Sequence, residues 1–237
     1  MERQLLEKFR RTPEAQRLLD TVSFAEGTNR DNLADSYRVM YGGGLAKDLT
    51  RHPDTVIHGG RYSSAAAGRY QFMPGTWERT ASRLGLKTFG QTEQDLAALK
   101  LARDRLLPIG GLSVLQKEGF SPRVSNLLAP EWASLPTTDG VSYYGQPVKS
   151  YSELDKFYRN VKVGPTPEIA APQPLGEGDT APQERDTAPQ KNRGMEFLRN
   201  YLHFLPGFGS SMTDQSSSTF NAPQMLAKAF QAPQIME

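Results

Sequence analysis

Ser23-Phe24-Ala25-Glu26-Gly27-Thr28-Asn29-Arg30 is the stretch on which the reading of this chain turns. Upstream of it, Thr12-Pro13-Glu14 has the form of a helix start, with Thr as N-cap, Pro at the first helical position and Glu in the first turn. Leu18, Leu19 and Val22 then recur at helical spacing, with Phe24 and Ala25 close behind. The pattern stops at Gly27, so a carboxylate, Glu26, falls in the last turn of an apolar helix. The negative end of the helix dipole lies there, and apolar surroundings disfavour the charged form, so the carboxyl tends to keep its proton. A carboxyl that holds a proton is what general acid catalysis needs. A solvated surface glutamate beside a glycine C-cap fits the same eight residues, and the stretch by itself leaves both readings open.

Working outward, residues 2–11 form a short amphipathic segment with Leu5, Leu6 and Phe9. Residues 28–68 are rich in Gly, Asp, Asn and Ser and read as loop, with room for a small hairpin. A loop of that length inside a domain tends to form a lid or a cleft wall. Helical signals return at Pro74-Gly75-Thr76-Trp77, running to about Leu84. Thr92-x-x-Asp95 has the form of a capping box and opens a helix with Leu96, Leu99, Leu101 and Leu106 on its apolar side. Gly110-Gly111 ends it, and a short helix follows to Glu118. Ser121-Pro122 starts another through about Leu128, and Ser150-x-x-Glu153 caps a last one from Tyr151 to about Asn160. Between these two lies a loop holding Trp132, Tyr143 and Tyr144.

Composition narrows the chemistry. The chain has 237 residues and no cysteine, which excludes disulfides, thiolate nucleophiles and Cys-based metal sites. His52, His58 and His203 show no ligand spacing; His52 and His58 read as loop residues, and neither a metal nor a cofactor is expected. The charged N-terminus lacks the apolar segment of a secretory signal, and no run approaches the roughly 20 apolar residues that span a bilayer. The expectation is a chain made and kept in a cytoplasm unless something else carries it out. Residues 1–163 carry a net charge of +5 and the remainder −3. A mildly basic front part suits an anionic polymer such as cell wall, while no nucleic-acid-binding motif is present.

Two further stretches hold aromatic and amide side chains in loops, as a sugar-binding cleft requires: Gly68-Arg69-Tyr70-Gln71, and Trp132-Ala133-Ser134-Leu135-Pro136 with Tyr144-Gly145-Gln146. Together with Ala25-Glu26-Gly27-Thr28, the Gly-Gly loop within 37–45 and His52-Pro53, these motifs come in an order that closely resembles the lambda-phage endolysin family, the lysozyme-like lytic transglycosylases of phages. The resemblance covers roughly residues 12–162. It implies a mainly α (α+β) fold, a lysozyme-like two-lobed domain with a small β-lobe and a glycan-holding cleft. It implies that Glu26 is the catalytic acid and base, and that Gln71, Tyr70 and Tyr144 line the cleft. Tyr37, Ser134 and Gln146, in the same motifs, are carried over as substrate-binding. One departure stands out: the family has Tyr-Asp before the Gly-Gly loop, and this chain has Tyr37-Arg38.

Glycoside hydrolysis normally needs a second carboxylate besides the acid. The candidates Asp31, Asp35, Asp48 and Asp54 all lie in the long loop, none in a motif of its own. The resembling family does without one, since the sugar's own C6 hydroxyl attacks and leaves a 1,6-anhydro product. For Trp132, core packing competes with substrate contact.

Nine of the 17 prolines lie beyond residue 163, where Ala-Pro-Gln recurs at 171, 181, 188, 222 and 232. The expected organisation is a lytic transglycosylase domain at 1–163 and an extended tail at 164–237, with docking helices at about 193–205 and 221–230. The function expected is cleavage of the bond between N-acetylmuramic acid and N-acetylglucosamine in the peptidoglycan glycan strand. The tail would bind other phage virion proteins, placing the enzyme in the virion for cell-wall opening during genome entry. A free endolysin for host lysis, or a structural virion protein with a non-catalytic domain, are the alternatives.

Overall fold

The computed structural model describes residues 1–59 and 62–164. The expected docking helices and the tail lie outside the described residues. Eight α-helices are present among them: α1 (Glu2–Arg10), α2 (Pro13–Ala25), α3 (Leu33–Ser36), α4 (Pro74–Leu84), α5 (Gln91–Leu106), α6 (Val114–Glu118), α7 (Pro122–Leu128) and α8 (Tyr151–Asn160). The sheet is a single antiparallel hairpin, β1 (Ile57–Gly59) on β2 (Tyr62–Ser64), in the register Ile57–Ser64 and His58–Ser63. Among the described residues the fold is therefore mainly helical with one small β element.

The helix starts follow local chemistry. Thr12 Oγ1 accepts from the Ala15 N–H, Ser121 Oγ from Val124 and Ser150 Oγ from Glu153, so each cap satisfies a donor the first turn cannot. Pro13, Pro74 and Pro122 sit in first turns, where a missing N–H costs nothing. α5 is the centre of the core. Leu96, Ala97, Ala98, Leu99, Ala102 and Leu106 are all buried, and α1, α2, α4 and α7 pack around it. Burying a leucine of this kind contributes about 1.5–3 kcal/mol.

Three expectations need correction here. Thr92 does not cap α5, which starts one residue earlier at Gln91 with Gly90 as its N-cap. Asp95 is instead 2 % exposed and bonded to two tyrosines. Nor is 28–68 loop apart from its hairpin. Besides α3 and the hairpin, it holds backbone bridges Val39–Leu45 and Met40–Ala67, and Ala67 continues to Phe72. His52, read from sequence as a loop residue, is buried. Its Nδ1 accepts the Asp54 N–H at 3.0 Å, which leaves the proton on Nε2 to donate to the Phe72 carbonyl at 2.8 Å.

Candidate active site

Glu26 is the C-cap of α2, and its own N–H closes the helix on Val22 at 2.9 Å. Gly27 then turns the chain at φ +70°, a conformation glycine adopts without steric cost. The helix end is held from three directions. Phe24 stacks flat on Phe157 of α8 at 4.1 Å. Thr28, buried, donates its hydroxyl to the Arg69 carbonyl and lies 3.0 Å from Ser23 Oγ. Ser134, from the loop after α7, donates its hydroxyl to Glu26 Oε1 at 2.6 Å.

Glu26 is half-buried as a whole residue, with its carboxyl the part withdrawn from water. Burial pushes its pKa up from 4.5 to about 7, against the opposing pull of the Ser134 hydroxyl and N–H. At neutral pH the group is thus divided between its acid and base forms, as a residue that must first give and then take a proton requires. Ser134 serves the second form, since a hydroxyl donor favours the carboxylate left after the proton departs.

The other residues named from sequence separate into two groups. Tyr37 and Tyr70 are each 1 % exposed. Both donate their hydroxyls to Asp95 Oδ1, at 2.9 and 2.6 Å, and both receive the Arg69 guanidinium, at 3.0 and 3.3 Å. This departs from the expectation that they line the cleft: both face inward because Asp95 and Arg69, removed from water, need partners. Trp132 is likewise buried, packed rather than presented. By contrast, Tyr144 is exposed on one side and is fixed by its hydroxyl, which donates to the Pro130 carbonyl at 2.8 Å. Gln146 is exposed. Gln71 is half-buried, stands at φ +48°, and donates its amide to the Val39 and Gly68 carbonyls at 3.2 and 3.0 Å. Such a backbone conformation is unusual for a residue with a side chain and recurs at functional positions.

Of the aspartates considered as second carboxylates, Asp35 pairs with Arg38 at 3.3 Å, and Arg38 also donates to the Ala46 carbonyl at 2.8 Å. Asp48 accepts both the N–H and the hydroxyl of Thr50, which lowers its pKa. The Arg at position 38 thus has a structural job at the base of the Gly-Gly loop. Among the described residues no group of three His, Asp or Glu side chains is placed to hold a metal ion. A cavity of about 620 Å³ opens behind the Ser134 loop, walled by Arg105, Pro130, Asp139 and Tyr143; a second, of about 290 Å³, lies over Arg69 and Asp95. Glu26 lines neither.

Sequence reasoning missed Thr28, Gln94, Asp95 and the inward role of Arg69. Thr28 and Arg69 stood inside recognised motifs, so their presence was visible and their bonding was not.

The comparisons with known proteins agree with this architecture. The endolysin family model matches residues 16–164. The endolysin of Escherichia phage lambda is 32 % identical over 146 residues, covering 59 % of this chain and 85 % of that protein. Among solved structures, bacteriophage lambda lysozyme complexed with a chitohexasaccharide superposes with a TM-score of 0.54 at 27 % identity, covering 62 % of this chain and 93 % of the other. A second structure of lysozyme from bacteriophage lambda gives 0.50 at 26 % identity, covering 62 % and 91 %. The helical body, the single hairpin, the acid at the end of α2 and the matched span together identify the chain as a member of the endolysin family, a peptidoglycan-degrading endolysin of the lambda type.

Proposed function

We propose that this chain cleaves the bond between N-acetylmuramic acid and N-acetylglucosamine by lytic transglycosylation, with Glu26 as the one catalytic carboxyl. The observation that carries the reading is the Glu26 carboxyl at the end of α2, withdrawn from water and bonded to Ser134 at 2.6 Å. Its protonated form gives the proton to the glycosidic oxygen as the bond to C1 breaks, and the N-acetylglucosamine hydroxyl leaves. The C6 hydroxyl of the muramyl ring then bonds to C1, and its proton returns to the Glu26 carboxylate. The acid is regenerated and no water is consumed. Of the four aspartates considered as a second carboxylate, Asp35 is engaged locally by Arg38 and Asp48 by Thr50, which argues against a hydrolytic role for these two. Tyr144, Gln146 and Gln71 are the substrate-binding residues in this reading. The chitohexasaccharide held by the lambda lysozyme supports a glycan strand as the ligand.

Mass spectrometry of digested peptidoglycan tests the reaction. Products ending in 1,6-anhydro-muramyl groups are expected, and reducing ends would replace transglycosylation by hydrolysis. Residues 165–237 lie beyond the family match, and their proline-rich composition suits an anchor. In this reading residues 1–163 form the catalytic domain, and the tail places the enzyme in the virion to open the cell wall during genome entry. Deleting 164–237 should leave activity on purified wall intact and remove the protein from particles; a truncated protein found in particles at full level counts against the anchor.

A further inference from the structure

We propose that Arg69 is a positioning residue for Glu26, acting through Thr28 and Asp20 without touching substrate; the role rests on the reading of Glu26 above. Arg69 grips α2 on both sides of the glutamate. Its guanidinium holds Asp20, earlier on the same helix, in an ion pair. Its carbonyl receives the hydroxyl of Thr28, just past Gly27. The Arg69 N–H in turn donates to Gln94 Oε1 at 2.9 Å, and the Gln94 amide donates to the Phe89 and Tyr37 carbonyls at 2.7 and 3.0 Å. The end of α2 is thereby referenced to α5, the most buried helix of the fold, independently of the loop that brings Ser134.

Two features say that this is more than a core contact. Gly68 stands at φ +80°, and a Cβ there would collide with the Gln94 amide and the Phe89 ring, so the close seating of the chain just before Arg69 against Gln94 depends on glycine. Arg69 is also a poor choice for stability alone. It is 5 % exposed, and its Nε–H has no acceptor, a cost that its bonds to Asp20, Tyr37 and Tyr70 must offset. What the guanidinium adds is a fixed place for the Arg69 carbonyl. Its hold on Asp20, Tyr37 and Tyr70 leaves the main chain no room to swing, and Thr28 follows that carbonyl. Glu26, between the two anchors, is then set against Ser134. A displacement of about 1 Å at a reacting group can cost on the order of 100-fold in rate.

The test is steady-state kinetics on purified peptidoglycan across pH for Arg69→Lys, Thr28→Val and Thr28→Ser, with thermal unfolding of each. Lys keeps the charge and loses the planar fork, so a changed field around Glu26 is not the cause of any effect. Ser134, the polar group facing Glu26, is untouched in all three. For Arg69→Lys and Thr28→Val, kcat is expected to fall about 10- to 100-fold with KM within about threefold. The alkaline limb of the profile is expected to move below that of the wild type as a looser helix end admits water to Glu26. Thr28→Ser, which retains the hydroxyl, should recover both. Should Arg69→Lys not fold, Thr28→Val decides alone. A loss of kcat with the alkaline limb unmoved, or a loss no larger than the loss of folded protein, overturns the proposal. Glu26→Gln runs alongside. If it stays active, the reading of Glu26 itself fails; if it is inactive while Arg69→Lys and Thr28→Val match wild type, only the positioning role fails.

Discussion

Asp95 and Glu26 are both carboxylates withdrawn from water, one in the interior of α5 and the other at the end of α2. Burial pushes both pKa values up. Around Asp95 the fold then supplies the Arg69 and Arg10 guanidinium groups and two tyrosine hydroxyls, with Arg10 at 3.2 Å and Asp20 completing the charge balance on Arg69. Around Glu26 it supplies Ser134. The same chemical group has part of its burial offset by several charged and hydroxyl neighbours in one place and by a single hydroxyl residue in the other. Many partners tie a buried carboxylate into a structural clasp, and few leave it available to react.

The comparison breaks most visibly at Asp95. Asp95→Ala strands Arg10 and takes the acceptor from both tyrosines, and removal of one partner from a buried pair costs about 3–5 kcal/mol. Denaturant unfolding should show that loss, and a loss below about 1 kcal/mol would mean that the network is a bystander.

Glu26→Gln should move stability the other way, and only above mildly acidic pH. Below 4.5 both folded and unfolded chains hold the proton, so the carboxyl makes no difference there. Between 4.5 and about 7 the folded protein keeps a proton that the unfolded chain has released, and stability falls as pH rises through that window. Above about 7 the folded state carries the whole cost of a charged carboxylate withdrawn from water. The glutamine variant escapes that cost, so it should be more stable than wild type by about 1–3 kcal/mol at pH 8 and indistinguishable at pH 4, while its activity drops by at least about 100-fold. Equal unfolding curves at the two pH values would show that Glu26 is ordinary after all.

How far these two carboxylates could be told apart in the sequence is instructive. The place of Glu26 at the end of α2 was legible because it stands directly before Gly27. The helix starts at Thr12, Ser121 and Ser150 were legible because capping is chemistry between neighbours in the chain. Asp95 was misread as part of a capping box, since Thr92-x-x-Asp95 satisfies the local rule and the partners that decide otherwise, Tyr37, Tyr70 and Arg69, are remote in sequence. Tyr37 and Tyr70 were assigned to the cleft for the same reason. Their residue type suits sugar binding, and only tertiary packing reveals that their hydroxyls are taken. His52 beside Pro53 looked like loop, yet Phe89, at 4.7 Å between ring centres, and the Phe72 carbonyl make it part of the core.

The smallest effect sharpens the comparison at Ser134. Its hydroxyl is the side-chain donor that favours the ionised form of Glu26, so Ser134→Ala should leave the carboxyl more reluctant to lose its proton. A hydrogen bond to a charged group contributes about 1 kcal/mol or more, which corresponds to a rise of roughly half a unit to one unit. The alkaline limb of the activity profile should therefore move up from about 7, with only a modest fall in kcat, because the acid form gains population while the carboxylate that must recover the proton loses its donor. Loosening the helix end through Arg69→Lys moves the same limb down. A pair of variants that displace one limb in opposite directions assigns that limb to Glu26, because unfolding or a general loss of substrate affinity would shift both the same way. If Ser134→Ala instead lowers the limb, the hydroxyl is shielding Glu26 from water more than it stabilises its charge, and the contrast with Asp95 reduces to a difference in burial.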